Sequence, residues 1–204
     1  MSEVKNPKAM SEKIVDVSGY GLYCLSIESF TSFLKNHNIK TKKLNSFFDK
    51  NRNILEEAIK DGYLLPIATI NSIAYYIEVK HLSEAVELGE EWQEVLTIEN
   101  CNLRVGTDSA IWIGTLDTLD NWNPADFKEQ ESISYETLDG ETLHSSQKFT
   151  ITPADYKVKL LGFKRKKILP YPTANFGFVF ELRETSSFDS FTNPLVENVN
   201  IAKM

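Results

Sequence analysis

Residues 156–160 read Tyr156-Lys157-Val158-Lys159-Leu160, and residues 176–182 read Phe176-Gly177-Phe178-Val179-Phe180-Glu181-Leu182. In the first run Tyr156, Val158 and Leu160 fall on one side of an extended chain, with Lys157 and Lys159 opposite. In the second, Phe176, Phe178, Phe180 and Leu182 oppose Glu181 and Arg183. A period of two is the mark of a half-buried strand. The same period extends back to Pro66, with Ile73, Tyr75, Ile77 and Val79 sharing a face. Between Val95 and Val105 the apolar phase flips from Leu96 and Ile98 to Cys101, Leu103 and Val105, which predicts a β-bulge near Glu99-Asn100. Ala110 to Leu116 is apolar on both faces and reads as a central strand. Asp139-Gly140 between Ile133–Thr137 and Thr142–Ile151 is a hairpin signal.

Upstream the pattern differs. Gly19 to Ile27 reads as a first strand. Ser29 is placed to cap a short helix carrying Phe30, Phe33 and Leu34, and Leu44, Phe47 and Phe48 repeat that spacing. Asn53 is placed to cap a further helix with Ile54, Leu55, Ala58 and Ile59 on one stripe and Gly62 as its stop. Successive strands without intervening helices predict a mainly β (α+β) fold, an antiparallel β-sandwich with two or three N-terminal helices covering an edge or an end. The expected organisation is a flexible lead over 1–17, one domain over 18–185 and a loosely packed tail over 186–204. Leu169-Pro170-Tyr171-Pro172 reads as a loop between two strands.

The 204 residues are 42% hydrophobic and 25% charged, which excludes a disordered or low-complexity chain. No apolar run reaches membrane-spanning length, and no hydrophobic stretch follows the N-terminus. Two cysteines, Cys24 and Cys101, make no disulfide framework, so a cytoplasmic setting is expected. His37, His81 and His144 lie far apart, no metal-ligand spacing occurs, and Asp117, Asp120 and Asp126 lack the spacing of a calcium loop. No nucleophile elbow and no glycine-rich phosphate loop are found. These observations predict neither catalysis nor a cofactor.

Charge is unevenly spread. The net of −7 combines +2 over 1–80, −13 over 81–145 and +4 over 146–204. The middle segment has 15 acidic residues against Arg104 and Lys128, and holds all three tryptophans, Trp92, Trp112 and Trp122. Such a surface repels nucleic acid and attracts a basic protein. The candidate partner-binding residues are Glu84, Glu87, Glu90, Glu91, Trp92 and Glu94 in one group, and Asp117, Asp120, Trp122, Asp126, Glu129 and Glu131 in another. Trp92 or Trp122 would be the desolvated anchor. The basic cluster Lys164-Arg165-Lys166-Lys167 is expected to neutralise part of this acidity or to sit in water.

Glu57-Ala58-Ile59-Lys60-Asp61-Gly62-Tyr63, a helix ending in Gly-Tyr before a period-2 strand, resembles the corresponding passage of the ComJ family of small bacterial inhibitors of a DNA-entry nuclease. Lys148-Phe149-Thr150-Ile151-Thr152-Pro153-Ala154-Asp155-Tyr156-Lys157-Val158 resembles that family's later strand, turn and Asp-Tyr. The present chain is longer at both ends and carries the acidic, tryptophan-containing insertion. The resemblance implies an acidic, non-enzymatic bacterial immunity or inhibitor protein that binds and neutralises a basic nuclease or other toxin. A ligand-binding β-sandwich module for carbohydrate or lipid is the alternative, and an enzyme without a local signature is a third reading. No direct nucleic-acid or membrane partner is expected, and homo-oligomerisation is left open.

Overall fold

The computed structural model describes residues 13–81, 84 and 88–204. Among these residues ten strands form two five-stranded sheets, and three α-helices accompany them. In chain order the strands are β1 (Lys13–Asp16), β2 (Gly21–Leu25), β3 (Leu65–Ala68), β4 (Ala74–His81), β5 (Trp92–Arg104), β6 (Ala110–Thr115), β7 (Ser132–Glu136), β8 (Thr142–Thr150), β9 (Asp155–Arg165) and β10 (Phe176–Thr185). The helices α1 (Ile27–Asn36), α2 (Leu44–Lys50) and α3 (Arg52–Lys60) sit between β2 and β3. The front sheet runs β1-β4-β10-β9-β5 and the back sheet β3-β2-β6-β8-β7. Every pairing is antiparallel except β4 with β10. No helix among the described residues is long and apolar enough to cross a membrane.

Alternation decides which side chains meet between the sheets. Tyr75 and Ile77, Tyr156, Val158 and Leu160, and Phe178 and Phe180 bring the front sheet's inner face against Leu22, Cys24, Ile67, Ile111 and Ile113 of the back sheet. Burial of this kind contributes roughly 1.5–3 kcal/mol per large apolar side chain. β6 is buried at every position because it is covered on two sides. Ile111 and Ile113 point into the inter-sheet core, while Trp112 joins a second core under the helices with Tyr23, Phe30, Phe33, Leu44 and Phe48. The helices therefore lie on the outer face of the back sheet, not at an edge or end. The large apolar residues on the second face of β2 and β6 could not be left in water. Gly114 permits this packing: a Cβ there would collide with Ser146 Oγ and stand 2.6 Å from Tyr23 Oη. Those two hydroxyls share a buried 2.9 Å hydrogen bond.

The bulge falls where the phase flip places it. The β5–β9 register shifts between Ile98 and Cys101, with Asn100 at φ 63, and shifts again between Glu94 and Leu96. The hairpin turn closes through Gly140 at φ +83. The caps differ from expectation by a few residues. Ser26, not Ser29, caps α1, its Oγ accepting from Ser29 N at 3.5 Å, and Ser29 is buried inside the helix. Asn51, not Asn53, precedes α3, and its amide donates back to Phe47 O at 2.7 Å.

Both expected ends need correction. Residues 13–16 are not part of a flexible lead but form β1, paired with β4, and Val15 and Val17 are buried in the inter-sheet core. Two apolar residues are too few to register as an alternation, and pairing to β4 supplies what local pattern lacks. Residues 1–12 lie outside the described residues. The segment after Thr185 is not loosely packed either, since Val199 and Ile201 are buried in the main core and Pro194 is buried as well. β1 also bridges the sheets: Gln147 Nε2 of β8 donates to Ile14 O at 2.9 Å, His144 N donates to Asp16 Oδ2 at 2.8 Å, and Lys13 Nζ donates to Lys148 O.

Candidate functional site

The first acidic group lies where the chain enters β5. Trp92 is the register partner of Arg165 on β9, and the guanidinium lies 4.5 Å from the indole centroid. Arg165 Nε donates to Ala174 O at 3.2 Å, and its terminal nitrogen is 3.8 Å from Glu91. Committed to a carbonyl, a carboxylate and a ring face, Arg165 is not a free anion receptor. Among the described residues this is the one point at which the basic cluster neutralises the acidic segment side chain to side chain. Lys164 instead reaches Met204 O, and Lys166 and Lys167 are exposed. Trp92 is half-buried and, with Tyr76, Leu88 and Ile14, lines a cavity of about 320 Å³. Glu84, Glu90, Glu91 and Glu94 are exposed. Glu84 accepts from His81 N at 3.2 Å, and Glu94 accepts from Thr97 Oγ1 at 2.5 Å. Glu87 lies outside the described residues.

The second group occupies two 3-10 helices, Leu116–Asn121 and Pro124–Phe127, and the approach to β7. Trp122 is 6% exposed, with its ring edge-on to Phe30 at 5.1 Å and tilted to Phe127 at 5.5 Å, and its backbone N–H donates to Lys42 O at 3.0 Å. It belongs to the helix-side core and presents no ring to a partner. Trp112 is buried beside it. Asp120 is half-buried and accepts from Ser46 N, tying this segment to α2. Asp117 accepts from Ser18 Oγ at 2.8 Å, and Asp126 accepts from the Asn123 amide. Asp117, Asp126, Glu129 and Glu131 are exposed. Lys148 donates to Glu131 at 2.9 Å and holds its carboxyl below the usual glutamate range. The described members of the two groups belong to different sheets, the first to the β4–β5 connection and the start of β5 in the front sheet and the second to the segment between β6 and β7 of the back sheet.

Of the two basic residues in the segment, Arg104 is committed. It donates to Asp155 through Nε at 2.9 Å and NH2 at 3.1 Å, and to Tyr63 Oη at 3.0 Å. Lys128 is exposed.

One feature carries no local sequence signature. A cleft of about 430 Å³ opens between β1, the start of β4, the β7–β8 hairpin and the loop 170–175. Val17, Ile73, Leu143 and Phe176 form its apolar walls, and Tyr135 and Tyr171 stand at its rim. Tyr171 precedes a cis bond to Pro172, and its hydroxyl donates to Glu141, tying the loop to the hairpin. That bond, with the nearby charges of Asp16 and Asp139, pushes the Tyr171 hydroxyl up to about 12. The tyrosines were within reach of sequence reading only as exposed residues of a loop and a hairpin.

Among the described residues no three His, Cys, Asp or Glu side chains are grouped to hold a metal ion. Cys24 and Cys101 are free and buried. No family model, no curated protein and no solved structure matches this chain.

Proposed function

We propose that the protein binds and neutralises a basic protein, such as a nuclease toxin, through its acidic surface, and acts by binding rather than by catalysis. The observation that carries this reading is how little of the acidity is cancelled. Glu90, Glu94, Asp117, Asp126 and Glu129 are exposed, Arg104 is spent on Asp155, and the ion pairs Glu91–Arg165 and Glu131–Lys148 neutralise one carboxylate each. Nuclease toxins are basic because their substrate is a polyanion, and an acidic protein can cover the same surface. The resemblance of 57–63 and 148–158 to the ComJ inhibitors points the same way. A cytoplasmic site of action suits two reduced thiols. Trp92, half-buried under Arg165, takes the anchoring role that Trp122 cannot.

The test is association kinetics with the basic protein recovered by pull-down from the source cells. Reversing Glu84, Glu90 and Glu94 to Lys, or Asp117, Asp126 and Glu129 to Lys, should slow association strongly at low salt and little at high salt, because rim charges act through steering. Equal rates for reversed and native proteins at low salt would remove the acidic surface from the interaction. A ligand-binding module is the second reading, and the tyrosine-rimmed cleft is the observation that favours it.

A further inference from the structure

We propose that the cleft rimmed by Tyr135 and Tyr171 binds a small organic cation, a protonated amine carried on an apolar body. The inference stands on this cleft alone and holds whether or not the acidic segment meets a protein. Its volume of about 430 Å³ falls in the range of small-molecule sites, roughly 300–1,000 Å³. The walls supplied by Val17, Ile73, Leu143 and Phe176 call for an apolar body.

The polar groups select the charge. No lysine, arginine or histidine is among the described residues that line the cleft. Several of the side-chain donors nearest to hand are already used, which leaves the uncharged hydroxyls of Tyr135 and Thr173. Asn175 Nδ2 donates to Leu169 O and Thr173 O, Ser72 Oγ donates to Ser18 O, and the Tyr171 hydroxyl donates to Glu141. A fatty acid or a phosphate would enter without a counter-charge, and neutral hydroxyls repay only part of the cost of desolvating an anion. Acceptors are plentiful instead. Asp16 lines the cleft, one oxygen accepting from His144 N and the other not hydrogen-bonded by any described residue. Glu141 is fastened at the mouth by Tyr171, with Asp139 close by. Tyr135 is 46% exposed and Tyr171 68% exposed, so each leaves aromatic surface within reach of an incoming cation. Apolar floor, aromatic rim and carboxylates that no cation of the described residues pairs are the complement of an amphiphilic ammonium ion.

The experiment is an amide NMR titration of the full chain at neutral pH with three compounds of like shape: 2-phenylethylammonium, 2-phenylethanol and phenylacetate. The ammonium ion should give saturable shifts at Ser72, Ala74, Leu143 and Thr173, and bind about tenfold more tightly than the alcohol, the combined worth of a cation–π contact and a part-exposed ion pair. Phenylacetate should bind least. Asp16→Asn with Glu141→Gln should abolish most of the ammonium preference while leaving the alcohol's affinity unchanged, the Asn oxygen still accepting from His144 N. The amide spectrum of the double variant reports its fold in the same measurement. Equal binding of ammonium and alcohol, tighter binding of phenylacetate, or no shift at the cleft residues with any of the three would overturn the proposal. None of these outcomes bears on association with a basic protein.

Discussion

Lys80 Nζ lies 3.1 Å from Glu181 Oε1, and the two are register partners across the parallel β4–β10 pair. Their side chains are 4% and 8% exposed, and Lys159, register partner of Glu181 from the other side, approaches to 3.8 Å. Lys80 also donates to Glu84 O at 2.7 Å. Removing one partner of a buried pair strands the other charge and costs about 3–5 kcal/mol, whereas an apolar pair of similar size is often neutral. Glu181→Leu should therefore lower stability in urea by that amount, and the double variant K80M/E181L should recover most of the loss. A double variant as unstable as the single would show that the charges are not coupled.

Trp122→Ala should behave as a core truncation. With its ring against Phe30 and Phe127, the loss is expected at about 3–5 kcal/mol. Trp92→Ala removes a half-buried ring and should cost less, about 1–2 kcal/mol. Chemical denaturation ranks the two. A stable Trp122→Ala protein would contradict the packing.

Glu131 should titrate below an ordinary glutamate, because Lys148 donates to its charged form and Lys13 adds a favourable charge. A depressed folded-state value means that the contribution to stability is present above the unfolded-state pKa and is lost as pH falls through the folded one. Carboxyl-detected NMR should see the Glu131 midpoint rise toward the usual range in Lys148→Met. An unchanged midpoint would dissolve the pair. At a fully exposed position the effect on global stability is small.

Cys24 and Cys101 should resist thiol reagents in the native protein. Each is 0% exposed, and burial pushes both thiols up, Cys101 to about 12, so thiolate is scarce at neutral pH. Ellman's reagent should titrate neither thiol natively and both in denaturant. Rapid native reaction would mean that the inter-sheet core opens readily.

How far the sequence could be read follows from range. Alternation is local, so the faces of Tyr156–Leu160 and Phe176–Leu182, the bulge before Cys101 and the turn at Gly140 were legible residue by residue. Two apolar faces on Ala110–Leu116 told that β6 is central. What is not local was not legible. Nothing near Lys80 signals that its neighbour is Glu181, a hundred residues on, and alternation alone placed Lys159 and Glu181 only opposite the apolar faces of their strands. The acids of 84–94 and 117–131 formed one segment in sequence, but their described members belong to different sheets in space. Trp122 shared their stretch yet packs inward, because burial of its ring outweighs the charge of its neighbours. The cleft needed four separated segments to come together.

The parallel β4–β10 pair also sets the order in which the chain can be completed. β10 is the middle strand of the front sheet and, among the described residues, the last strand in chain order. Until it leaves the ribosome, β1 and β4 form one ribbon and β5 and β9 another, each with an unpaired edge. A product truncated before Phe176 loses the keystone of the sheet rather than a loose end, and its two open edges are free to pair with other nascent chains. Growing chains therefore need their edges shielded until Phe176–Thr185 has emerged, and termination before that point should yield aggregates rather than a smaller folded domain.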